Sequence, residues 1–420
     1  MNITKNGGFL GYITPNTYFS LELGANKLRH FLFGFTLCEI VEVFNVFPTA
    51  IVEPVITIYK KQPSNNEPFI SICLPRKTKL SSTFLNEGIE SKFTQSDLRK
   101  NEQLLFNYRS SKQEQAICEE MERFPRLDTL FGVMTGAKQY QVGKGVPPQT
   151  REIVKSKPFT GYERIDDSWI PYMRGRSIDR FVNVWDNKKE YIKYGEWLAE
   201  PRIPSVFEGE KLFVRQTADS LIAMIDKGNV SNNTLHSVYP LPNNTDVSLL
   251  YLLGLFNSTL LNWYYKTVHF LEVGKPMAEV KGVFIKKLPI ATGNDNQRNE
   301  IEEKVSSIIE LCKKRFDVKM RFIHYIRSAY EPRKITEKME RFENLTFMDF
   351  CGEIKKQKVR LSVTAQMDLL PLFDQKVQEI AAFTSQIKRI QSQLDSLVFE
   401  IYGIDSESVE RIKNGISVEV

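Results

Sequence analysis

The sequence predicts an α+β, multidomain protein, and three observations carry the prediction. First, 420 residues exceed the ~250–300 at which a single hydrophobic core divides. Second, strand and helix signals alternate at the start, whereas short β-type runs set off by Gly, Pro and Asn fill the middle. Third, the end carries an apolar stripe of helical period. A hydrophobic content of 42% beside 26% charged residues and a mean hydropathy of −0.30 belong to a globular chain, not to a disordered, collagen-like or membrane-embedded one. No run reaches the ~18 apolar residues of a membrane span, and residues 1–12 lack the basic start and apolar centre of a signal peptide, so a soluble cytoplasmic protein without a membrane partner is expected.

Residues 1–75 read as strand, helix, strand, strand. Phe9-Leu10-Gly11-Tyr12-Ile13 is an apolar run ended by Thr14-Pro15-Asn16, and Leu28, Phe31 and Leu32 recur at helical spacing. Residues 38–43 and 51–59 are rich in β-branched and aromatic side chains, as strands require. Such a piece cannot cover both faces of an α/β sheet, so it reads as the C-terminal remnant of a larger domain. Residues 76–125 fill with Ser, Lys, Glu and Gln and read as a linker with one helix, 114–124, stopped by Pro125. Residues 126–292 read as an α+β domain, with strands at Leu212-Phe213-Val214 and Ser237-Val238-Tyr239 and a strong apolar helix over 249–265. Residues 293–420 turn helical, and Phe373, Val377, Ile380, Thr384, Ile387, Gln391, Leu394, Val398 and Ile401 alternate steps of four and three. That stripe predicts a helical hairpin or coiled coil, ended by Gly403 at a C-cap.

Net charge is +6, and residues 126–292 hold twenty-two basic against seventeen acidic side chains, which places five of the six excess charges in one segment. Within it Arg174, Arg176 and Arg180 crowd a Gly-containing stretch, with Lys138, Lys144, Arg202, Arg215, Lys286 and Lys287 elsewhere. This is a candidate phosphate footprint, with an ordinary solvated surface as the alternative. Five scattered cysteines without a CxxC encode neither a disulfide framework nor a zinc site and read as buried thiols. No GxxxxGK[ST], HExxH or GxSxG occurs. Gly143-Lys144-Gly145 reads as a plain turn. Asp349, Glu353 and Lys355 imitate a nuclease set yet fall in one predicted helix, and the four histidines are isolated in sequence, so no metal site is expected.

Gly7-Gly8-Phe9-Leu10-Gly11-Tyr12-Ile13-Thr14-Pro15-Asn16 resembles a late strand of the catalytic domain of adenine-N6 DNA methyltransferases. Leu28-Arg29, Phe31-Leu32, the strand Ile40 to Phe44, Val46-Phe47-Pro48 and Val55 to Ile58 continue the likeness in order. Phe131 to Gly136, Ile170 to Phe181, Leu253-Gly254-Leu255-Phe256-Asn257-Ser258 and Lys287-Leu288-Pro289-Ile290 are similar to a TaqI-like C-terminal specificity domain, with Phe256 in place of the usual Leu. Phe342 to Phe347, Lys358 to Ser362 and Leu397 to Ile404 resemble the helical end of type IIG restriction-modification enzymes.

The resemblance implies double-stranded DNA as partner, S-adenosylmethionine as the family's cofactor, and stacking of Phe47 on a flipped-out adenine; without it, a Phe between two strands reads as core. It makes Arg174, Arg176, Arg180, Lys138, Arg202 and Arg215 candidate DNA contacts. The family's cofactor loop and its Asn/Asp-Pro-Pro-Tyr/Phe loop are missing from the sequence; Ile170-Pro171-Tyr172 only echoes the latter. No catalytic residue is therefore expected in this chain, which is predicted to be inactive alone. It reads as a truncated gene, a fragment or one part of a split enzyme with an upstream methylase or nuclease polypeptide. A stand-alone specificity subunit docking a separate methylase, or a non-enzymatic remnant, is the alternative.

Overall fold

The computed structural model describes the chain except for residues 2, 20–23, 45, 48–52, 65, 76–82, 100–103, 186–189, 245–246, 271–277 and 416–420. It divides into two compact units, Met1–Met121 with Tyr264–Gly274, and Glu122–Trp263 with Lys275–Val420. The mixed α+β, multidomain class is the predicted one.

The first unit is built on a five-stranded sheet of order β1-β3-β2-β4-β5, with β1 Phe9–Pro15, β2 Phe35–Glu42, β3 Pro54–Pro63, β4 Pro68–Cys73 and β5 Ile89–Thr94. Among its described residues only β2 and β4 run parallel; β3 lies antiparallel to both β1 and β2. In β3, Val55, Thr57 and Tyr59 are buried in alternation, the period-two pattern of a strand with one face in a core. That core gathers Phe19, Phe33, Phe69, Phe93, Phe106 and Tyr108. The helix α1, Asn26–Leu32, forms where the spacing predicted it, but with a different buried face: Leu28 and Phe31 are exposed and Arg29 is buried. Arg29 Nη1 donates to the Tyr18 carbonyl at 2.6 Å, which satisfies part of a group that burial would otherwise strand.

The stretch 76–125, expected to be a linker with one helix, supplies that helix as α2, Lys112–Met121. It also supplies β5, which pairs along the whole of β4. Phe93 and Phe106 then enter the core, so the described residues 83–99 and 104–121 of the stretch belong to the first folded unit. Among the cysteines, Cys118 and Cys312 are buried but Cys38, Cys73 and Cys351 only half-buried, which corrects the reading of all five as buried thiols.

The second unit carries two four-stranded sheets. One has the order β13-β12-β15-β6, with β6 Phe131–Thr135, β12 Glu210–Arg215, β13 Ala223–Lys227 and β15 Leu235–Pro240. The other has the order β14-β8-β11-β7, with β7 Thr160–Gly161, β8 Trp169–Met173, β11 Glu190–Lys193 and β14 Val230–Ser231. A small hairpin joins β9 Ile178–Asp179 to β10 Val182–Asn183. Short helices α3 Arg151–Ser156 and α6 Gly282–Lys286 flank the strands. Gly143-Lys144-Gly145 lies in turns, ahead of the six-residue α3.

The apolar helix expected over 249–265 is two helices, α4 Leu249–Phe256 and α5 Thr259–Val268. Asn257 ends the first: its side chain donates to the Ala223 carbonyl at 2.9 Å and accepts from the Ala223 N–H at 3.1 Å. This strand-like pairing holds Asn257 on β13. Ser258 then receives the Leu261 N–H at 3.2 Å as an N-cap. A backbone pairing partner 34 residues earlier breaks the helix, and no local signal announces it.

The helical end comprises α7 Asp295–Tyr330, α8 Glu337–Glu340, α9 Phe347–Lys356, α10 Val363–Ile401 and α11 Ser406–Gly415. The start of α7 and the end of α10 both approach Gly254 through Ile301, Val305 and Leu394, while Phe322 and Phe373 meet at the other end. The two long helices are therefore antiparallel, a hairpin as the stripe predicted. Phe373, Ile380, Ile387, Gln391, Leu394 and Val398 are buried, as their spacing requires. Gly403, at φ +69°, closes α10: its N–H bonds Glu400 O at 2.9 Å and the Ile404 N–H bonds Phe399 O at 3.0 Å, a complete Schellman motif. Asp349 and Glu353 take structural parts in α9, receiving Thr346 Oγ1 and Lys356 Nζ. Among the described residues no cluster suits a metal ion, and no helix is long and apolar enough to cross a membrane.

Candidate nucleic-acid interface

The arginine-bearing stretch is a turn between two small cores. In β8, Tyr172 points into a cluster with Ile192, Leu198 and Phe207, and its neighbour Met173 into another with Phe213, Met224 and Leu235. Alternation along an extended strand puts successive side chains on opposite faces. The chain then turns through Gly175–Ser177 into β9. The Gly175 N–H donates to Thr234 Oγ1 at 2.8 Å, Ser177 N–H to Arg174 O at 2.8 Å, and Val184 N–H to Ser177 O at 2.9 Å, so the turn is closed on itself and held from outside by Thr234 and Val184.

Arg174 and Arg176 leave this turn toward one carboxylate. Both form ion pairs with Glu190, the first residue of β11 and the cross-strand partner of Tyr172. Glu190 is buried, whereas the side chains of Arg174 and Arg176 are 38% and 68% exposed. The Arg174 guanidinium also lies 5.5 Å from the centroid of the Tyr172 ring, within cation–π range. Burial works against the Arg176 charge, but hydrogen bonds to Tyr162 and Glu190 outweigh it and raise the pKa. Two guanidiniums sharing one carboxylate leave one net positive charge and several outward N–H donors.

Arg180 and Arg215, the other two arginines expected to contact DNA, are placed differently: Arg180 is buried and Arg215 half-buried. Arg180 is buried with Nη2 3.4 Å from Asn262 Oδ1, and burial, only partly offset by Asp179 and Asp395, pushes its pKa down to about 10. Arg215 bonds the Ile178 carbonyl and has its pKa lowered by burial. Arg215 thus ties down the backbone just after the turn, while Arg180 reaches α5. Lys138 Nζ donates to Gln141 Oε1 at 2.6 Å. Arg202 takes the left-handed region at φ +71°, donates to Gly136 O at 3.3 Å and pairs with Glu200 at 2.6 Å.

Phe47 belongs to the first unit and is 43% exposed, while Pro48 beside it lies outside the described residues. The stems of its loop are clasped. Asn16 Nδ2 donates to Glu42 Oε1 at 3.1 Å and its N–H to Glu53 O at 2.9 Å. Buried Glu42 also receives Tyr108 OH at 2.8 Å and Arg109 Nε at 2.6 Å. Glu42 and Glu190 were both missed by the sequence reading. Glu42 shares its strand with Glu39 and Glu190 follows two lysines, so neither stands out from its neighbours in the sequence.

Residues 170–290 match the TaqI-like C-terminal specificity domain family. Over these residues the chain is similar to such a specificity domain. Residues 294–398 match a domain of unknown function, DUF8810. A putative type II restriction enzyme and methyltransferase, RM.MjaORFECS2P of Methanocaldococcus jannaschii, is 22% identical over 338 residues, which are 75% of this chain and 25% of that protein. The type IIL restriction-modification enzyme MmeI, solved in complex with DNA, superposes with a TM-score of 0.50 at 12% identity over 97% of this chain and 50% of its own. The type IIG restriction endonuclease BpuSI gives 0.31 at 12% identity over 95% and 48%. The chain thus spans a quarter of the curated relative and half of MmeI, and the likeness to MmeI is one of fold. Within the specificity domain, the arginine turn, Glu190 and the Asn257–Ser258 break all fall inside the matched residues.

Proposed function

We propose that this chain is the target-recognition part of an adenine-N6 DNA methyltransferase of restriction-modification type. In this reading it binds duplex DNA through its specificity domain and presents Phe47 to a base flipped out of the stack. The observation that carries the reading is the exposed Arg174–Arg176 pair on a backbone-fixed turn of the specificity domain. Aromatic stacking at Phe47 would recover ~1–3 kcal/mol of the stacking a flipped base loses.

S-adenosylmethionine is the cofactor this reading implies by family, and it is not assigned to any described residue of the first unit, where the buried Glu42 carboxylate is engaged by Asn16, Tyr108 and Arg109. This chain alone is expected to be inactive.

Salt-titrated binding to duplex DNA tests the reading. Each phosphate left without its cationic partner lowers the log–log salt slope by ~0.9, which is about a 3-fold change in affinity between 50 and 200 mM salt. Arg174→Gln with Arg176→Gln is expected to leave up to two phosphates in that state. Arg180→Gln and Arg215→Gln should lower the melting temperature and leave the slope of the folded protein unchanged. Salt-insensitive binding by the wild type, or equal slopes for the Arg174/Arg176 and the Arg180/Arg215 variants, would overturn the proposal.

A second reading, a methyltransferase completed by further catalytic-domain sequence, is favoured by β1. Among the described residues this strand is bonded on one side only, to β3, and Phe9 and Tyr12 are 64% and 61% exposed. An apolar open edge of this kind is ordinarily covered or paired. Transfer of labelled methyl groups to DNA on adding a polypeptide with the cofactor and Asn-Pro-Pro-Tyr motifs supports it; no transfer with or without that polypeptide removes it.

A further inference from the structure

We propose that Glu190 is a specificity-determining positioning residue: it holds the guanidiniums of Arg174 and Arg176 in one orientation and cancels half of their charge, so that the pair reads a guanine edge as well as meeting phosphate, instead of gripping every sequence alike. The inference rests on the duplex-binding reading above. It stands on geometry. The root of the carboxylate is fixed because Glu190 is paired across the sheet to Tyr172, and the root of the arginines is fixed because their turn is bonded to Thr234 and Val184. With both backbones held, the ion pairs set the side-chain directions, and Tyr172 and Tyr162 confine the guanidiniums further.

Charge and orientation have separable consequences for a DNA-binding surface. Affinity for DNA of any sequence grows with uncompensated positive charge, because each phosphate neutralised releases counterions. Discrimination between bases needs a fork of donors held at fixed angles, as an arginine presents to guanine O6 and N7. A buried acid between two exposed arginines lowers the first and raises the second. A carboxylate serving the fold alone would do neither.

The test uses the full chain, random-sequence duplex, and duplexes selected from a random pool. Glu190→Gln frees one net charge, so it is expected to bind random duplex more tightly and to steepen the salt slope by about 0.9. The sequences it selects should lose a guanine that the wild type requires. Glu190→Asp keeps the charge but shortens the reach: random-duplex affinity should stay at the wild-type level while the guanine preference weakens. If Glu190→Gln proves unstable, the aspartate variant carries the test alone. Unchanged random-duplex affinity and unchanged selected sequences in folded variants overturn the role of Glu190 and leave the duplex-binding reading standing. Absence of salt-dependent binding by the wild type overturns both.

Discussion

Replacing Asp395 probes how the helical hairpin is fastened within the second unit. Asp395 lies in α10, is buried, and caps α5 from outside it: Oδ1 accepts the Thr259 N–H and Oδ2 the Thr259 hydroxyl, both at 2.7 Å, and Gln391 Nε2 reaches Oδ1 at 3.2 Å. In Asp395→Ala the Thr259 N–H and hydroxyl lose their acceptor, at ~1–3 kcal/mol for each stranded donor. Relief of burying a carboxylate offsets part of this, so the expected loss is about 3 kcal/mol. Asp395→Asn keeps an oxygen for the Thr259 N–H and an amide for its hydroxyl, and should cost about 1 kcal/mol.

Burial raises the Asp395 pKa, against bonds from Thr259 and Gln391 that lower it. A raised folded pKa means that the group's contribution is fully present below the ordinary carboxylate value and is lost as pH rises through the raised one. The asparagine variant removes that term and should therefore lie closer to the wild type at neutral pH than at pH 4. Urea unfolding followed by the fluorescence of buried Trp263 in α5 measures all three proteins. An alanine variant within 0.5 kcal/mol of wild type, or no difference between alanine and asparagine, would refute the cap (~1 kcal/mol is the usual scale of such a cap).

Three further outcomes are expected. Lys211 and Asp226 are fully buried cross-strand partners 2.8 Å apart, so Lys211→Met should cost ~3–5 kcal/mol by stranding the carboxylate; a double-mutant cycle with Asp226→Leu should be strongly non-additive, and additivity would dismiss the pair. At Gly254 a Cβ would come within 2.8 Å of Ile301 Cγ2 and 2.9 Å of Val305 Cγ2, both on stiff β-branched side chains. Gly254→Ala should lose ~1–3 kcal/mol to overpacking, less up to ~1 kcal/mol of helix propensity, and a stabilised variant in thermal melts would show that α4 and α7 are not in close contact. His236 donates Nε2–H to Val280 O at 2.7 Å, with Thr135 Oγ1 3.1 Å from Nδ1, and burial lowers its pKa despite the Val280 bond. Its neutral form stabilises the fold fully above the ordinary histidine value, and this is lost as pH falls toward the lowered one; His236→Gln should flatten that part of the stability–pH curve, and an unchanged curve would discount it.

Sequence pattern and structure agree where one local signal decides the outcome. The stripe from Phe373 to Ile401 needs only its own period to become α10, and Gly403 needs only its freedom at positive φ. They part where a distant partner decides. Residues 89–94 carry Glu, Ser and Lys, too polar to read as a strand, yet β4 pairs with them and draws Phe93 into the core. Asn257 breaks an apolar helix because Ala223 offers it a backbone to pair with. In α1 the hydrophobic spacing points to Leu28 and Phe31, but Tyr18 offers a carbonyl to Arg29, and the helix buries that face instead.

The candidate interface shows the same division with more consequence. Charge counting treats Arg174, Arg176, Arg180, Lys211 and Arg215 alike, but the fold spends three of them internally: Lys211 on Asp226, Arg180 beside Asn262, and Arg215 on the Ile178 carbonyl. Glu190 then compensates half of the charge on the remaining two. A surface so depleted is poorly suited to hold DNA by bulk attraction, whose strength depends on the number of phosphates neutralised. It is better suited to discriminate, because the donors it keeps stand on a turn whose backbone and side chains are both restrained. In the proposed duplex-binding reading, a domain built this way owes its sequence preference to a few held angles, which makes that preference sensitive to the acid behind the arginines as well as to the arginines themselves.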